Sequence, residues 1–252
     1  MAIDVKNKSV IVTGSTKGIG KAIAEAFAEA GANLTIVSRN QDDCDRIAGE
    51  LSGKYGVKAL PVSGDITKIV NIENIVEKTA EEFGSVDVLV NNAGSAVTKA
   101  SVDLTEEDWD SVIAIDLKAV FFCSQIAGRK MIEQKKGKII SIGSALGFIG
   151  EKRLLPYCCA KGGVLQMTKT LGIEWARYNV QVNVVCPGYV ITDLNRDLLT
   201  DEKISTRLLS HIPMRRFGET VEVAEAVVFL ASDASNYMTG QSIILDGGWC
   251  AE

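Results

Sequence analysis

Seven short runs of β-branched and apolar residues are spread along the whole chain, and longer stretches with helical periodicity separate them. Most runs are nearly continuous in Val, Ile and Leu instead of alternating with polar residues, which is the pattern of strands covered on both faces of a parallel sheet. The pattern predicts one α/β domain over residues 1–252, a doubly wound Rossmann-type fold with a seven-stranded parallel sheet flanked by helices. The strands are expected at SVIVT, NLTIVS, VKALPV, VDVLV, GKIIS, VQVNVV and QSIIL, and the helices at 18–30, 68–83, 105–130, 160–177 and 220–231.

Composition and charge narrow the class of partner. The chain has 252 residues with 46% hydrophobic content, enough to bury one sizeable core. Its net charge of -5 is spread along the chain with no long basic run, which disfavours nucleic acid and anionic membranes as partners. The start, MAIDVKNKSVIV, lacks the segments of an export signal, and no apolar run reaches about 18 residues. We expect a cytoplasmic protein that binds a small molecule.

The chain has six cysteines and one histidine, and neither residue type forms a metal or nucleophile pattern. There is no C-x-x-C motif, so no metal site is expected. His211 has no orienting carboxylate close in sequence, which favours a surface histidine over Ser-His-Asp or Cys-His chemistry. The adjacent Cys158 and Cys159 are badly placed to bridge each other on a helix. The cysteines are therefore expected to stay reduced and to pack as small apolar side chains.

A glycine-rich turn follows the first predicted strand and opens the first predicted helix. In VTGSTKGIG, the glycines let the backbone approach a pyrophosphate at the positive end of a helix. A tight turn without a ligand is the alternative, but the strand before it and the helix after it supply the context that nucleotide binding requires. The cofactor contacts predicted here are Gly14, Ser15, Thr16, Lys17, Gly18, Ile19 and Gly20.

The second predicted strand ends in three further predicted cofactor contacts, Ser38, Arg39 and Asn40. Many NAD enzymes carry an acidic side chain here against the ribose 2′-hydroxyl. Arg39 can meet a 2′-phosphate with a fork of donors, and Lys17 can add a second positive charge. The alternative is an arginine that is simply exposed at a strand end. The sequence thus predicts NADP(H) as the cofactor, with NAD(H) as the second choice.

Several motifs occur in an order that resembles the short-chain dehydrogenase/reductase family. The resemblance covers essentially the whole chain, and it implies hydride transfer between a nicotinamide cofactor and a carbonyl or alcohol substrate. The motifs are TGSTKGIG at 13–20, NNAG at 91–94, Ser144, the Y-x-x-x-K pair of Tyr157 and Lys161, and PG at 187–188.

The resemblance also implies roles for individual residues. Asp65 is expected to accept a hydrogen bond from the adenine amino group, and the NNAG element to steady the sheet centre behind the cofactor. Lys161 is expected to bind the nicotinamide ribose hydroxyls. The cofactor contacts implied beyond the glycine turn are Asp65, Ile66, Asn92, Ala93, Gly94, Tyr157, Lys161, Pro187, Gly188, Val190 and Thr192.

A chemical role can also be argued without the family resemblance for Ser144, Tyr157 and Lys161. Tyr157 and Lys161 are four residues apart, so they share one face of a helix. Carbonyl reduction needs a proton donor at the oxygen, and a neighbouring ammonium makes a tyrosine a better proton exchanger because it favours the phenolate. We expect Ser144 to hold the substrate oxygen and Tyr157 to donate or accept the proton. The cofactor provides the hydride, and no metal is needed.

One catalytic position departs from the family pattern. Asp116 stands where relatives usually have asparagine, whose backbone carbonyl is thought to hold a water leading to Lys161. A carboxylate about 6 Å away would oppose the effect of the lysine on Tyr157 by on the order of 3 kcal/mol. Asp116 is therefore held away or protonated, or the enzyme works best at higher pH. We expect Asp116→Asn to be active, with its lower pH limit moved toward acid.

The resemblance assigns substrate choice to residues 189–216, expected to form a helical lid with an apolar underside. The segment Glu151–Arg153 could put cations at the mouth of the site, although a solvated loop fits it equally well. The family pairing of the last strand and the adjacent helix implies a homotetramer. The apolar residues expected under the lid are Leu194, Leu198, Leu199, Ile204, Leu208, Leu209, Ile212 and Met214.

Three functions remain open from the sequence. The first is an NADP(H)-dependent oxidoreductase for a small ketone, secondary alcohol, polyol or sugar acid. The second is a 3-oxoacyl-thioester reductase, for which Lys135, Lys136 and Lys138 could contact an acidic carrier protein, unless they form a solvated turn. The third is a nucleotide-binding protein that lost turnover through Asp116.

Overall fold

The computed structural model describes residues 3–193 and 195–251. Seven parallel strands form the central sheet in the order β3-β2-β1-β4-β5-β6-β9, which confirms the predicted fold class. A second, two-stranded sheet pairs β7 with β8. The strands are β1 Ser9–Thr13, β2 Asn33–Ser38, β3 Ala59–Ser63, β4 Val88–Asn91, β5 Gly137–Ile142, β6 Val180–Pro187, β7 Val190–Ile191, β8 Gly218–Glu219 and β9 Ser242–Leu245.

Helices cover both faces of the sheet. A π-helical turn, Ala114–Lys118, joins α4 to α5, and α7 and α8 lie in the predicted lid segment. The helices are α1 Gly18–Glu29, α2 Gln41–Tyr55, α3 Ile69–Phe83, α4 Glu106–Ile113, α5 Ala119–Gln134, α6 Leu155–Trp175, α7 Arg196–Thr200, α8 Glu202–Leu209 and α9 Thr220–Ala231.

The structure differs from the predicted helices in three places. Helix α2 was not expected, because it is mostly polar and buries only a narrow apolar stripe. Its ends carry clear signals, since the Asn40 side chain accepts from the backbone N–H of Asp43 and Gly56 adopts the left-handed conformation. Helix α6 begins at Leu155, earlier than expected, with Pro156 in its first turn. The helix expected over 105–130 is interrupted by the π-helical turn.

Two apolar clusters cover the two faces of the sheet. Successive side chains of strand β1 point to opposite faces of the sheet. Val10 and Val12 belong to the cluster under α1, α2 and α9, whereas Ile11 belongs to the cluster under α3, α5 and α6. All residues of β1 are buried, as the continuous apolar runs predicted. The strand order reverses between β1 and β4, the place where open α/β sheets form a ligand crevice at the carboxyl ends of their strands.

One helical stretch, Glu106–Gln134, is long and apolar enough to cross a bilayer by length and composition alone. It packs against the sheet, and 44% of its most apolar window is buried inside the structure. Core helices of proteins outside membranes share these properties, so the finding is weak evidence for a span.

Candidate active site

The glycine turn after β1 is held against the second strand and the NNAG segment. The backbone N–H of Ser15 donates to Val37 O at 3.1 Å, and Ser15 Oγ accepts from the Val37 N–H at 2.8 Å. A side chain at Gly20 would overlap Gly14 O and Asn92 Nδ2, so only glycine allows the helix to begin this close to the turn. Gly14 and Gly18 are partly exposed, so a ligand can approach the backbone of the turn at the start of α1, as a phosphate-binding turn requires.

Thr13 and Asn92 connect this turn to the end of β4. Asn92 Nδ2 donates to Thr13 O at 2.9 Å and to Gly14 O at 3.1 Å. Thr13 Oγ1 accepts from the backbone N–H groups of Asn92 at 3.0 Å and Ala93 at 3.1 Å. Thr13 was part of the quoted motif but was not predicted as a site residue. Its position at the end of a buried strand, next to Gly14, is the signal that could have identified it.

The two cations predicted to bind the 2′-phosphate of the cofactor ribose follow the ends of β1 and β2. Lys17 and Arg39 are exposed, and neither forms an ion pair within residues 3–193 and 195–251. Ser38 and Asn40 fix the turn around Arg39, because Ser38 Oγ donates to Asn40 O at 3.0 Å. This leaves two unpaired cations beside the glycine turn.

Asp65, after β3, presents a carboxylate that stays ionised. Its Oδ1 accepts from the backbone N–H of Thr67 at 3.0 Å and from Thr67 Oγ1 at 2.8 Å. These bonds, the backbone one foremost, lower the pKa of Asp65, and the charges of Lys68 and Arg39 lower it further. Ile66 is buried in the core, so any contact with a cofactor must come from its backbone.

The segment after β6 reaches back toward the glycine turn. A side chain at Gly18 would lie 3.5 Å from Thr192 Cγ2, which puts Thr192 against the start of α1. Gly188 packs so closely on Asp246 that a Cβ would lie 2.9 Å from its Cα. The Pro187 and Val190 side chains are buried, so these two positions offer backbone to a ligand.

Ser144 follows the carboxyl end of β5 by two residues, and Lys161 bonds the last residue of that strand beside Tyr157 on α6. Ser144 Oγ accepts from the Leu146 N–H at 3.1 Å, which leaves its own hydrogen free to donate. Lys161 Nζ donates to Ile142 O at 3.0 Å and lies 5.3 Å from the centre of the Tyr157 ring. Tyr157 is partly exposed, whereas Lys161 is only 4% exposed, so the ammonium is shielded and the phenol can reach a ligand.

Asp116 is not held away from this group, contrary to the first alternative drawn from the sequence. It is fully buried, and its Oδ1 lies 3.0 Å from Lys161 Nζ. Its Oδ2 accepts from the backbone N–H of Ser95 at 2.8 Å. Burial acts to lower the pKa of Lys161, but the charges of Tyr157 and Asp116 outweigh it and leave that pKa raised.

Two of the cysteines near the candidate site, Cys186 and Cys250, have raised pKa values. Burial raises the pKa of Cys186 to about 12, and burial together with Asp246 does the same for Cys250. Such thiols are weak nucleophiles at neutral pH. Cys158 is half-buried and Cys159 exposed on α6, between Tyr157 and Lys161.

Part of the predicted lid segment, residues 189–216, packs against the rest of the protein. Tyr189 stacks on Trp249 at 4.9 Å, and Leu199, Ile212 and Phe217 form a small buried cluster beneath α7 and α8. Met214 is 59% exposed, so it does not belong to the apolar underside. Of the other predicted lid residues, Leu208 and Leu209 pack against this cluster and Ile204 is half-buried. Leu194 lies outside the described residues, as does the side chain of Leu198.

The cations expected at the mouth are solvated. Lys152 and Arg153 are exposed, while Glu151 is half-buried. Burial, then the charge of Glu151, raises the pKa of Tyr189, so Glu151 faces the tyrosine at this edge. The mouth therefore combines one acidic and two basic side chains.

A pocket of about 350 Å³ lies between the lid segment, α9 and β9. Residues of the lid, of α9 and of β9 line it, including Ile212, Arg216, Glu222 and Ile244. Ser144, Tyr157 and Lys161 do not line this pocket, so it is a separate surface feature.

The family model described as Enoyl-(Acyl carrier protein) reductase matches residues 14–250. The chain belongs to the short-chain dehydrogenase/reductase family. It is an oxidoreductase of this family, and the family supports binding of a nicotinamide cofactor. The exposed backbone of the glycine turn and the ionised Asp65 carboxylate fit such a dinucleotide.

Relatives in this family differ in the substrate that their names give. The chain is 40% identical to the 3-oxoacyl-[acyl-carrier-protein] reductase FabG of Thermotoga maritima, over 97% of this chain and 98% of the relative. It is 37% identical to the 2-dehydro-3-deoxy-D-gluconate 5-dehydrogenase of Escherichia coli, over 99% and 98%.

Among solved structures, the chain is similar to a gluconate 5-dehydrogenase from Burkholderia cenocepacia in complex with NADP and tartrate. The TM-score is 0.95 with 33% identity, over 99% of this chain and 98% of the other. The whole fold, including the lid region, is therefore shared with that enzyme.

Proposed function

We propose that this protein is an NADP(H)-dependent oxidoreductase that interconverts a small ketone and a secondary alcohol, with a polyol or sugar acid as the substrate class. The observation that carries the proposal is that Lys161 lies beside the Tyr157 ring and bonds Ile142 O at the carboxyl end of β5, two residues before Ser144.

Each catalytic side chain has a distinct task in the proposed reaction. Ser144 donates its hydroxyl hydrogen to the substrate oxygen, because Oγ already accepts from Leu146. Tyr157 gives its phenolic proton to that oxygen in reduction and takes it back in oxidation. Lys161 supplies a fixed positive charge beside the phenol. A bound nicotinamide dinucleotide would donate or accept the hydride.

The Lys161 ammonium has an N–H group available for a ligand. An ammonium has three N–H groups. One N–H of Lys161 bonds Ile142 O, and a second faces Asp116. The third is available for the ribose hydroxyls that the family assigns to this lysine. The dinucleotide contacts proposed elsewhere are the glycine turn, Asp65 and the Asn92–Gly94 segment.

The preference for NADP(H) over NAD(H) is supported by the charge at the end of β2. Lys17 and Arg39 are exposed and unpaired within the described part of the chain, and an arginine fork suits a phosphate. The similar gluconate 5-dehydrogenase carries NADP, in agreement with this choice.

The alternative substrate is a 3-oxoacyl thioester on an acyl carrier protein, which the names of the FabG relatives favour. The lysines considered for carrier docking do not support it. Lys136 and Lys138 lie at the amino end of β5, whereas Ser144 follows its carboxyl end. Six strand residues put the two edges about 20 Å apart. Lys138 is also buried, so it is not part of a solvated turn.

A substrate panel separates the candidate functions. NADPH and NADH oxidation are followed with gluconate-type ketones and with an acetoacetyl thioester. We expect turnover with NADPH and a sugar-acid ketone. Preference for the thioester would favour the acyl-carrier alternative, and NADPH binding without turnover would favour a non-catalytic protein.

We further propose that residues 1–252 act as one domain with a lid at 189–216, and that the protein is a cytoplasmic homotetramer without a nucleic-acid or membrane partner. Exposed apolar side chains on α6 and the edge strand β9, such as Ile173 at 80% and Ile244 at 41% exposed, support self-association. The free cysteines suit a reducing compartment. Light scattering on the purified protein tests the tetramer.

A further inference from the structure

Asp116 is a buried carboxylate whose contacts all involve the catalytic centre. It is fully buried and lies 3.0 Å from Lys161 Nζ through Oδ1 and 2.8 Å from the Ser95 backbone nitrogen through Oδ2. Among the described residues, Oδ1 has no partner in aligned hydrogen-bond geometry. Its contact with the ammonium is an ion pair at 3.0 Å.

The local backbone is built around this carboxylate. A Cβ at Gly94 would lie 2.6 Å from Asp116 Oδ1, so the glycine leaves the space that the side chain fills. Asp116 also occupies the middle of the π-helical turn Ala114–Lys118. An extra residue in a helical turn changes where the side chains point, and such turns are frequent at functional sites.

A buried charge is costly to leave unpaired, so each member of this pair depends on the other. Removing the carboxylate would leave the Lys161 ammonium with Ile142 O as its remaining hydrogen-bond acceptor in the part of the chain that the structure describes. It would also release the Ser95 N–H, which holds the segment Gly94–Ser95 beside the lysine.

We propose that the Asp116 side chain is a positioning residue, which joins the Lys161 ammonium to the segment Gly94–Ser95 and balances the buried positive charge. This goes beyond the backbone role expected from the family, and it rests on the proposed role of Lys161. The consequence is that the carboxylate sets the pH range over which the site transfers protons.

The titratable groups that face Lys161 come from three elements. Tyr157 lies one turn away on α6, Asp116 on the π-helical turn, and Cys186 at the end of β6. The pKa of Cys186 is raised to about 12, chiefly by burial, so this thiol stays neutral in the working range. A substitution at Asp116 therefore changes the charge beside Lys161 and leaves Tyr157, the proposed proton donor, intact.

The first test observes the lysine directly and needs no substrate. The protein is labelled with carbon-13 lysine, and the Lys161 signal, assigned with Lys161→Arg, is titrated with pH. Asp116→Asn is expected to lower the midpoint by about one pH unit or more. Asp110→Asn is the matched control, because Asp110 is an exposed acid in the neighbouring helix α4. An unchanged midpoint in Asp116→Asn, or an equal shift in the control, would overturn the proposal.

The second test separates positioning from charge through NADPH binding. The asparagine oxygen of Asp116→Asn can still accept the Ser95 N–H, whereas Asp116→Ala cannot. NADPH affinity, measured by fluorescence, is expected to fall about tenfold in Asp116→Ala and to be largely restored in Asp116→Asn. Wild-type affinity in the alanine variant contradicts positioning. If the alanine variant does not fold, the titration of Asp116→Asn still decides.

Both tests are independent of turnover. Absence of activity with every substrate would count against the proposed function and leave the Lys161 titration as measured. A normal substrate profile with an unshifted lysine would count against the role of Asp116 alone.

Discussion

Lys138 and Lys161 are two buried lysines at opposite ends of strand β5, and their surroundings act on them in opposite directions. Lys138 is 6% exposed and Lys161 is 4% exposed, so depth of burial does not distinguish them. Burial, with the charge of Lys8, lowers the pKa of Lys138 to about 8. The charges of Tyr157 and Asp116 more than offset burial at Lys161 and raise its pKa.

The partners of each lysine explain the difference. Lys138 Nζ donates to the neutral Ser235 Oγ at 3.1 Å, near the end of α9. Lys161 has a carboxylate at 3.0 Å and a phenol on its own helix face. An anion within a few ångströms offsets the effect of burial on the pKa of an ammonium group, and a neutral hydroxyl does not. One buried lysine thus lies at the amino edge of the sheet, and the lysine of the proposed catalytic site lies at its carboxyl edge.

The largest expected contrast is in turnover. Lys161→Met is expected to lower turnover by about two to four orders of magnitude, because Tyr157 loses its neighbouring charge. Lys138→Met should leave turnover near the wild-type value, since Lys138 lies at the other edge of the sheet. Steady-state kinetics of both folded variants make the comparison, and equal losses would show that the two lysines do not differ in function.

An exposed cation extends the comparison to the cofactor end. Arg39→Ala is expected to raise the KM for NADPH about tenfold or more and to change the KM for NADH little, because only NADPH carries the 2′-phosphate. Arg46→Ala is the matched control, since Arg46 is already paired with Glu50 at 2.9 Å. Equal effects on both cofactors would contradict a phosphate-binding role for Arg39.

The two lysines should also give opposite pH dependences of stability. The folded-state pKa of Lys138 is about 8 against an ordinary value of 10.5, so the unfolded chain binds more protons between these values and stability rises with pH there. Lys161 has a raised pKa, so its stabilisation is present below 10.5 and is lost as the pH rises through the folded-state value.

Urea unfolding at pH 7 and pH 10 measures the Lys138 contribution. Relative to Lys138→Met, the wild-type free energy of unfolding should increase by about 2 to 3 kcal/mol between these pH values. An identical pH dependence in both proteins would mean that Lys138 titrates normally.

The smallest effect is expected at the cysteines beside Lys161. Cys158→Ala combined with Cys159→Ser should retain turnover, because these side chains only separate Tyr157 from Lys161 along α6. A double variant that folds and binds NADPH but has no activity would require a chemical role for one of the thiols.

Several features followed from local sequence alone. The central strands are continuous apolar runs, and the glycine turn lies between one such strand and a helix. Hydrophobic periodicity and motif spacing were therefore sufficient to predict the strands and the position of this turn. Tyr157 and Lys161 were predicted to share a helix face because their spacing is one turn. The Gln41–Tyr55 helix was missed because most of its surface is polar.

The remaining features depend on tertiary contacts that a sequence does not specify. The distance between Asp116 and Lys161 depends on a π-helical turn and on the space at Gly94. Lys138 was interpreted as part of a solvated turn, but it lies in β5 below the end of α9. For both Lys161 and Lys138, packing against residues distant in sequence determines the surroundings of the ammonium group.

The central claim is that Tyr157 transfers the proton in a nicotinamide-dependent reaction at this edge of the sheet. The most direct test is NADPH oxidation with a responsive sugar-acid ketone, comparing the wild type with Tyr157→Phe, which removes one hydroxyl group. We predict a loss of turnover of about two to four orders of magnitude, with NADPH affinity retained. A phenylalanine variant that folds and turns over at the wild-type rate would contradict the account.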